Sequence, residues 1–165
     1  MLGHLVYLAE ATHLSVGLDM LRRGPVPDKM LTHTALALGR HPVAELSDRL
    51  LRSASGHYHV PGPPRIVALG EVLVHGEDMM RPLGAHGDEV DPRIITPVLP
   101  WFRRLGRLGF HGTPRSGVTL VATDTDASIG SGPEVRGRAI DLLLLVANRR
   151  QVLAELDGPG LDSVT

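Results

Sequence analysis

The chain of 165 residues contains no cysteine, which excludes disulfides, thiolate metal ligands and a protein-borne thiol nucleophile together. Any metal site must be built from His, Asp and Glu, and any sulfur chemistry must import its sulfur on a small molecule. Aromatic residues make up only 3%, so the core has to rest on Leu, Val and Ala, a mixture that favours helix packing. Neither sign of charge dominates. Seventeen basic and eighteen acidic side chains leave a net charge of -1, which provides no general attraction to nucleic acid or to an anionic membrane. No apolar run reaches the ~18 residues of a spanning helix. The opening MLGHLVYLAEATHLSVGLDM is interrupted by His4, Glu10 and His13 and lacks the basic leader and cleavage site of a signal peptide. A cytoplasmic protein without nucleic-acid or membrane partners is expected.

What is present suits one globular domain with a small appended lobe, since 42% of the residues are hydrophobic and the length supports a real core. Leu2, Leu5, Val6, Leu14, Leu18 and Leu21 lie near helical spacing, so one amphipathic helix is expected from Leu2 to Arg23, stopped by Gly24-Pro25. Further helices are expected over Met30 to Leu38, Pro42 to Ser55 and Arg65 to Met80, with turns at Gly56, residues 61–64 and Pro82-Leu83-Gly84. Asp91-Pro92 reads as an N-cap followed by Pro at the first helical position. Pro97 and Pro100 require that element to be kinked or split. From Gly117 the pattern changes. GVTLVATD reads as a strand, TDASIGSGPEVRG as a hairpin-like stretch, RAIDLLLLVANRR as a buried helix, and Val152 to Leu156 as a short one. The expected fold is mainly α: a helical bundle over 1–112 and a small α+β lobe over 113–165.

Within the most apolar of these helices, Glu71 and His75 stand four residues apart, a spacing that stacks both side chains on one face. A His/carboxylate metal site needs a third protein ligand and keeps a fourth position open. His4 qualifies, because it sits in an apolar helix between Leu2 and Leu5, and bundles build such sites from facing helices. The bland reading is a hydrogen-bonded pair near the surface, and the stronger H-E-x-x-H spacing is absent. Asp78, three residues beyond His75, either orients that imidazole or pairs with Arg81.

Three segments carry a resemblance: LGHL at the start of the first helix, LGEVLVHGEDMMRPLG, and LVATDTDASIGSGPEVRGRAIDLLLLVANRR. Together they resemble the mycothiol-dependent maleylpyruvate isomerase-like family, within the DinB-like superfamily of metal-binding four-helix bundles. The resemblance covers nearly the whole chain and is most specific in the H-G-x-D-x-x-R-P-L-G run and the ATD…G-x-G-P-E-V-x-G block. It implies a DinB-like bundle whose zinc ligands are His4, Glu71 and His75, with mycothiol, an actinobacterial low-molecular-weight thiol, as cosubstrate beside an electrophilic small molecule. Sixteen Arg against one Lys agrees with such a GC-rich source.

The sequence departs from the family's pattern in two respects. The helix that usually precedes the HL helix is missing, which points to an upstream start, a fragment, or an apolar stripe buried in a homodimer. Asp126-Ala127-Ser128 stands where an aromatic often follows the ATD motif, and Asn148 where Gly is usual. The activity implied is isomerisation or thiol transfer. Two other readings stay open: a metal-dependent hydrolase that uses zinc-bound hydroxide, and a catalytically silent metal-binding or structural protein. Nickel and iron(II) also accept such ligands.

Remaining features carry less. Asp124 and Asp126 read as turn hydrogen-bonding groups rather than cation ligands. Arg103, Arg104 and Arg107 read as a solvated helix face. His57-Tyr58-His59 reads as surface, and the glycines of GSGPEVRG as a turn, since the Lys and helix start of a phosphate loop are absent.

Overall fold

The first helix ends earlier than its apolar spacing suggests. In the computed structural model, which describes residues 1–23, 27–54, 64–85, 90–107 and 117–164, α1 spans Leu2–Glu10 and α2 spans His13–Arg23. The single helix expected from Leu2 to Arg23 is therefore two. Ala11 turns to an extended conformation with ψ 135°, and Thr12 starts the chain again. Thr12 Oγ1 accepts the Ser15 amide at 3.1 Å, while the Thr12 amide donates to Ser15 Oγ at 2.8 Å. This reciprocal cap satisfies two amides that lack helical partners. Its signature, a Thr followed three residues later by a Ser, was present in the sequence but was masked by the continuous apolar pattern.

The described residues divide into two compact units, Met1–His75 and Gly76–Thr165. The division falls inside α5, Arg65–Met80. The boundary expected at residue 112 lies outside the described residues, as do Gly24-Pro25, Gly56 and the turn at 61–63.

In the first unit α1 packs against α3, Pro27–Leu38, and α4, Val43–Ala54. Tyr7, Ala11 and Met30 form a buried cluster flanked by Val16, Leu31 and Leu38. α2 buries none of its residues, and its Leu14 and Leu21 are exposed. Glu10 of α1 takes a two-pronged bond from Arg49 of α4, with Arg49 Nε at 3.0 Å. On the part of α5 that belongs to this unit the buried positions Val67, Gly70 and Val74 recur at helical spacing. That burial turns the adjoining stripe, which carries Glu71 and His75, partly toward solvent.

In the second unit Asp91 caps α6, Pro92–Ile95, by accepting the Arg93 amide at 2.9 Å. A 3-10 turn over Thr96–Val98 leads into α7, Leu99–Arg107, so the proline-containing element is split as expected. The mixed sheet has β1, Thr119–Ala122, at its centre. β2, Ser128–Gly130, pairs antiparallel on one edge, and β3, Glu134–Gly137, pairs parallel on the other.

The stretch read as one hairpin thus supplies both neighbours of β1. Thr119 faces Gly130 on one side and Glu134 on the other, so residues 131–133 pass beneath the start of β1. Gly132 makes this passage possible at φ 114°, where a Cβ would stand 2.1 Å from the Gly117 carbonyl oxygen. All eight residues of α8, Ala139–Val146, are buried, and Asp124 accepts the Ala139 amide at its start at 2.9 Å. Among the described residues no helix is long and apolar enough to cross a membrane.

Candidate metal centre

Glu71 and His75 belong to successive turns of one helix, and the structure brings His4 from α1 to the same point. Glu71 Oε2 lies 3.2 Å from His75 Nε2 and 3.6 Å from His4 Nε2. The two imidazoles meet edge to face, with centroids 5.0 Å apart and planes at 80°. One donor atom from each residue falls within 4.8 Å of the others, and no further His/Asp/Glu group of this kind occurs among the described residues.

The donor set passes a geometric test. A tetrahedral ion with ligands at ~2.1 Å holds its donors roughly 3.4 Å apart. The two separations from Glu71 Oε2 straddle that value and all three donors lie within 4.8 Å of one another, so His4, Glu71 and His75 could hold a metal ion. The same separations also serve a histidine–carboxylate ion pair when an imidazole is protonated. Two neutral nitrogens and one carboxylate are a borderline-to-hard set, suited to zinc and to the neighbouring divalent metals. Side-chain exposures of 19% for His4 and 15% for Glu71 and His75 mean that the trio is accessible from solvent, as a site with an open coordination position requires.

Asp78 accepts from Arg149, at 3.1 Å and 3.2 Å from Nε and at 2.6 Å from Nη2. Arg81 instead bonds Glu77, at 2.6 Å, and Asp141. Burial works against the Arg81 charge, but its bonds to Asp141 and Glu77 outweigh that and raise its pKa above the usual arginine value. Arg149 is 71 residues from Asp78 and Asp141 is 60 from Arg81, so no local pattern announces these pairs. The histidines His57, His59, His86 and His111 lie outside the described residues.

The arginine cluster does not form a uniform solvated face. Arg103 is buried and donates to the carbonyls of Ile129, at 2.7 Å, and Val118, at 2.8 Å. Helix α7 turns this position inward, where backbone oxygens of the sheet replace water around the guanidinium. Arg104 is exposed and lies 5.7 Å over the Trp101 ring; the Arg107 side chain is outside the description. Asp124 caps α8 where a turn role is expected of it, and the local turn bond falls instead to Thr125, whose Oγ1 accepts the Ala127 amide at 3.3 Å.

Comparison of the chain with protein-family models, with curated proteins and with solved structures finds no match.

Proposed function

We propose that the chain is a zinc-dependent protein of the mycothiol-dependent maleylpyruvate isomerase-like kind, with a DinB-like helical domain, that activates a low-molecular-weight thiol against an electrophilic small molecule. The observation that carries this reading is the convergence of His4, Glu71 and His75, the three residues that the sequence resemblance names as ligands, on one point. A divalent cation held there supplies positive charge that favours a thiolate over a thiol.

The chain's own residues have distinct parts in this reading. His4 and His75 offer neutral nitrogens, and Glu71 offsets one of the two positive charges. The net positive charge that remains attracts an anionic sulfur. Partial exposure of the trio leaves a direction of approach for the cosubstrate. The chain has no cysteine, so the nucleophilic sulfur belongs to that cosubstrate, mycothiol.

Addition of its sulfur to an activated double bond forms a C–S bond and leaves a single bond free to rotate. Elimination then restores the double bond and the thiol, so cis–trans isomerisation proceeds with no net change in atoms or oxidation level. In thiol transfer, the C–S bond forms as a leaving group departs with its electron pair. The reading is tested by metal content, measured by inductively coupled plasma mass spectrometry after dialysis against zinc. Wild type should retain about one ion per chain, and Glu71→Ala and His75→Ala far less, since each removes a ligand. Metal-free, folded wild type would leave Glu71 and His75 as an ion-paired helix face and remove the basis for thiol chemistry.

A further inference from the structure

Gly3 immediately precedes His4 and is buried on α1. A Cβ built at Gly3 would stand 2.6 Å from the Ala35 carbonyl oxygen, 2.8 Å from the Gly39 amide nitrogen and 3.2 Å from Leu38 Cβ. The first turn of α1 therefore lies directly on the end of α3. The two nearest atoms are backbone, which no rotamer change can move aside. At its other end α1 is tied to α4 through Glu10 and Arg49. The helix is held near both ends, and the candidate ligand projects from the end that Gly3 seats.

We infer that Gly3 is a positioning residue for the metal centre. Its missing side chain lets α1 approach α3 closely enough to set His4 Nε2 beside Glu71 and His75, an inference that rests on the proposed reading of the trio as metal ligands. The magnitudes decide the matter. Ordinary contact begins at 3.4 Å, and a Cβ at Gly3 would meet Ala35 at 2.6 Å, so the difference, 3.4 − 2.6, asks the backbones to separate by about 0.8 Å.

Metal–ligand distances tolerate about 0.2 Å, and functional side chains must be held within ~0.5 Å of working geometry. With the far end of α1 tethered at Glu10, the displacement is greatest in the first turn, where His4 stands. Rotation about two side-chain bonds re-aims an imidazole but does not lengthen it. Gly17 of α2 is the contrast: it is exposed, and nothing lies within 4 Å of a Cβ there.

The test is a cobalt(II) titration of the full chain, read by the visible absorption of the bound ion and by competition with a chromophoric chelator. Unfolding of each metal-free variant is measured in parallel. Gly3→Ala is compared with wild type, with Gly17→Ala, and with Leu46→Ala, a core truncation on α4 that lowers stability without adding bulk at the helix crossing. Gly3→Ala should bind cobalt at least tenfold more weakly, with an altered absorption band. Leu46→Ala should keep the wild-type band and an affinity within about threefold, even if it is the less stable variant.

Wild-type affinity and spectrum in Gly3→Ala would overturn the inference, as would loss of affinity in Leu46→Ala in proportion to its stability. If Gly3→Ala does not fold alone, Gly3→Ala/Gly17→Ala is read against Gly17→Ala, whose added helix propensity supports the fold. Failure of wild type to bind cobalt would instead sink the metal reading itself. The first two results leave that reading standing.

Discussion

Single charged side chains in this protein take their character from what they face. Glu10 and Arg49 are far apart in sequence yet meet as a two-pronged pair. The bond from Arg49 lowers the Glu10 pKa below the usual carboxylate value, against a smaller opposing effect of burial. A carboxylate depressed in the folded state stabilises the fold above its unfolded pKa, near 4.3, and loses that contribution as pH falls through the folded value. The pair is open to solvent on the Glu10 side and half-buried at Arg49, so screening keeps its worth within about 0.2–1 kcal/mol. Arg49→Gln should therefore lower stability slightly at pH 7 and flatten the loss between about pH 5 and the folded Glu10 pKa. Urea unfolding across that range checks it, and an unchanged pH profile would show the pair to be inert. Asn148 illustrates the same dependence on setting. It sits at φ 64° just past α8, a left-handed position that Asn and Gly tolerate best.

Elements in this chain begin and end by local hydrogen bonding even where apolar spacing runs on. The break at Ala11-Thr12 divides α1, which carries His4, from α2, none of whose residues is fully buried. With no fully buried residue and Val16 only flanking the core cluster, α2 depends on its cap more than most helices do. Thr12→Ala should cost about 0.5–2 kcal/mol and raise amide exchange across α2 more than in α3. Exchange unchanged in α2 would mean that the reciprocal Thr12–Ser15 bonds contribute nothing. In the second unit the capping and pairing roles of Asp91, Asp124 and Arg103 show why α6, α8 and the sheet start where they do. Asp124 and Arg103 satisfy backbone groups that burial would otherwise leave costly, and Asp91 satisfies an exposed amide of the first turn of α6.

For the whole molecule, the proposed metal centre would couple ion binding to stability. An ion that binds three residues brought together only by folding stabilises the fold by mass action, by about 2.7 kcal/mol at a free concentration of 100 times Kd. Zinc should raise the thermal midpoint of wild type and leave Glu71→Ala nearly unmoved. Calorimetry with and without zinc measures this, and equal shifts in both proteins would place the ion elsewhere. Buried charge is also part of the second unit's design. Glu77 and Asp141 are buried, and both bond Arg81, an arrangement in which breaking the set is far more costly than never having built it.

The sequence by itself determined the helix carrying Glu71 and His75, their shared face, the split proline element and its Asp91 cap. It also determined the change to strands after Gly117, because periodicity, capping and proline act over a few residues. The choice of His4 as a third candidate ligand was legible only through the family resemblance and its apolar setting. Tertiary structure alone decided that His4 Nε2 stands 3.6 Å from Glu71, because the sixty-odd residues between them carry no local record of the distance. It likewise decided the Asp78–Arg149 and Arg81–Asp141 pairs, the burial of Arg103, and the placement of β2 and β3 on opposite edges of β1. Each of these depends on which surfaces meet when the chain closes on itself, and a short-range pattern does not specify a meeting between distant segments.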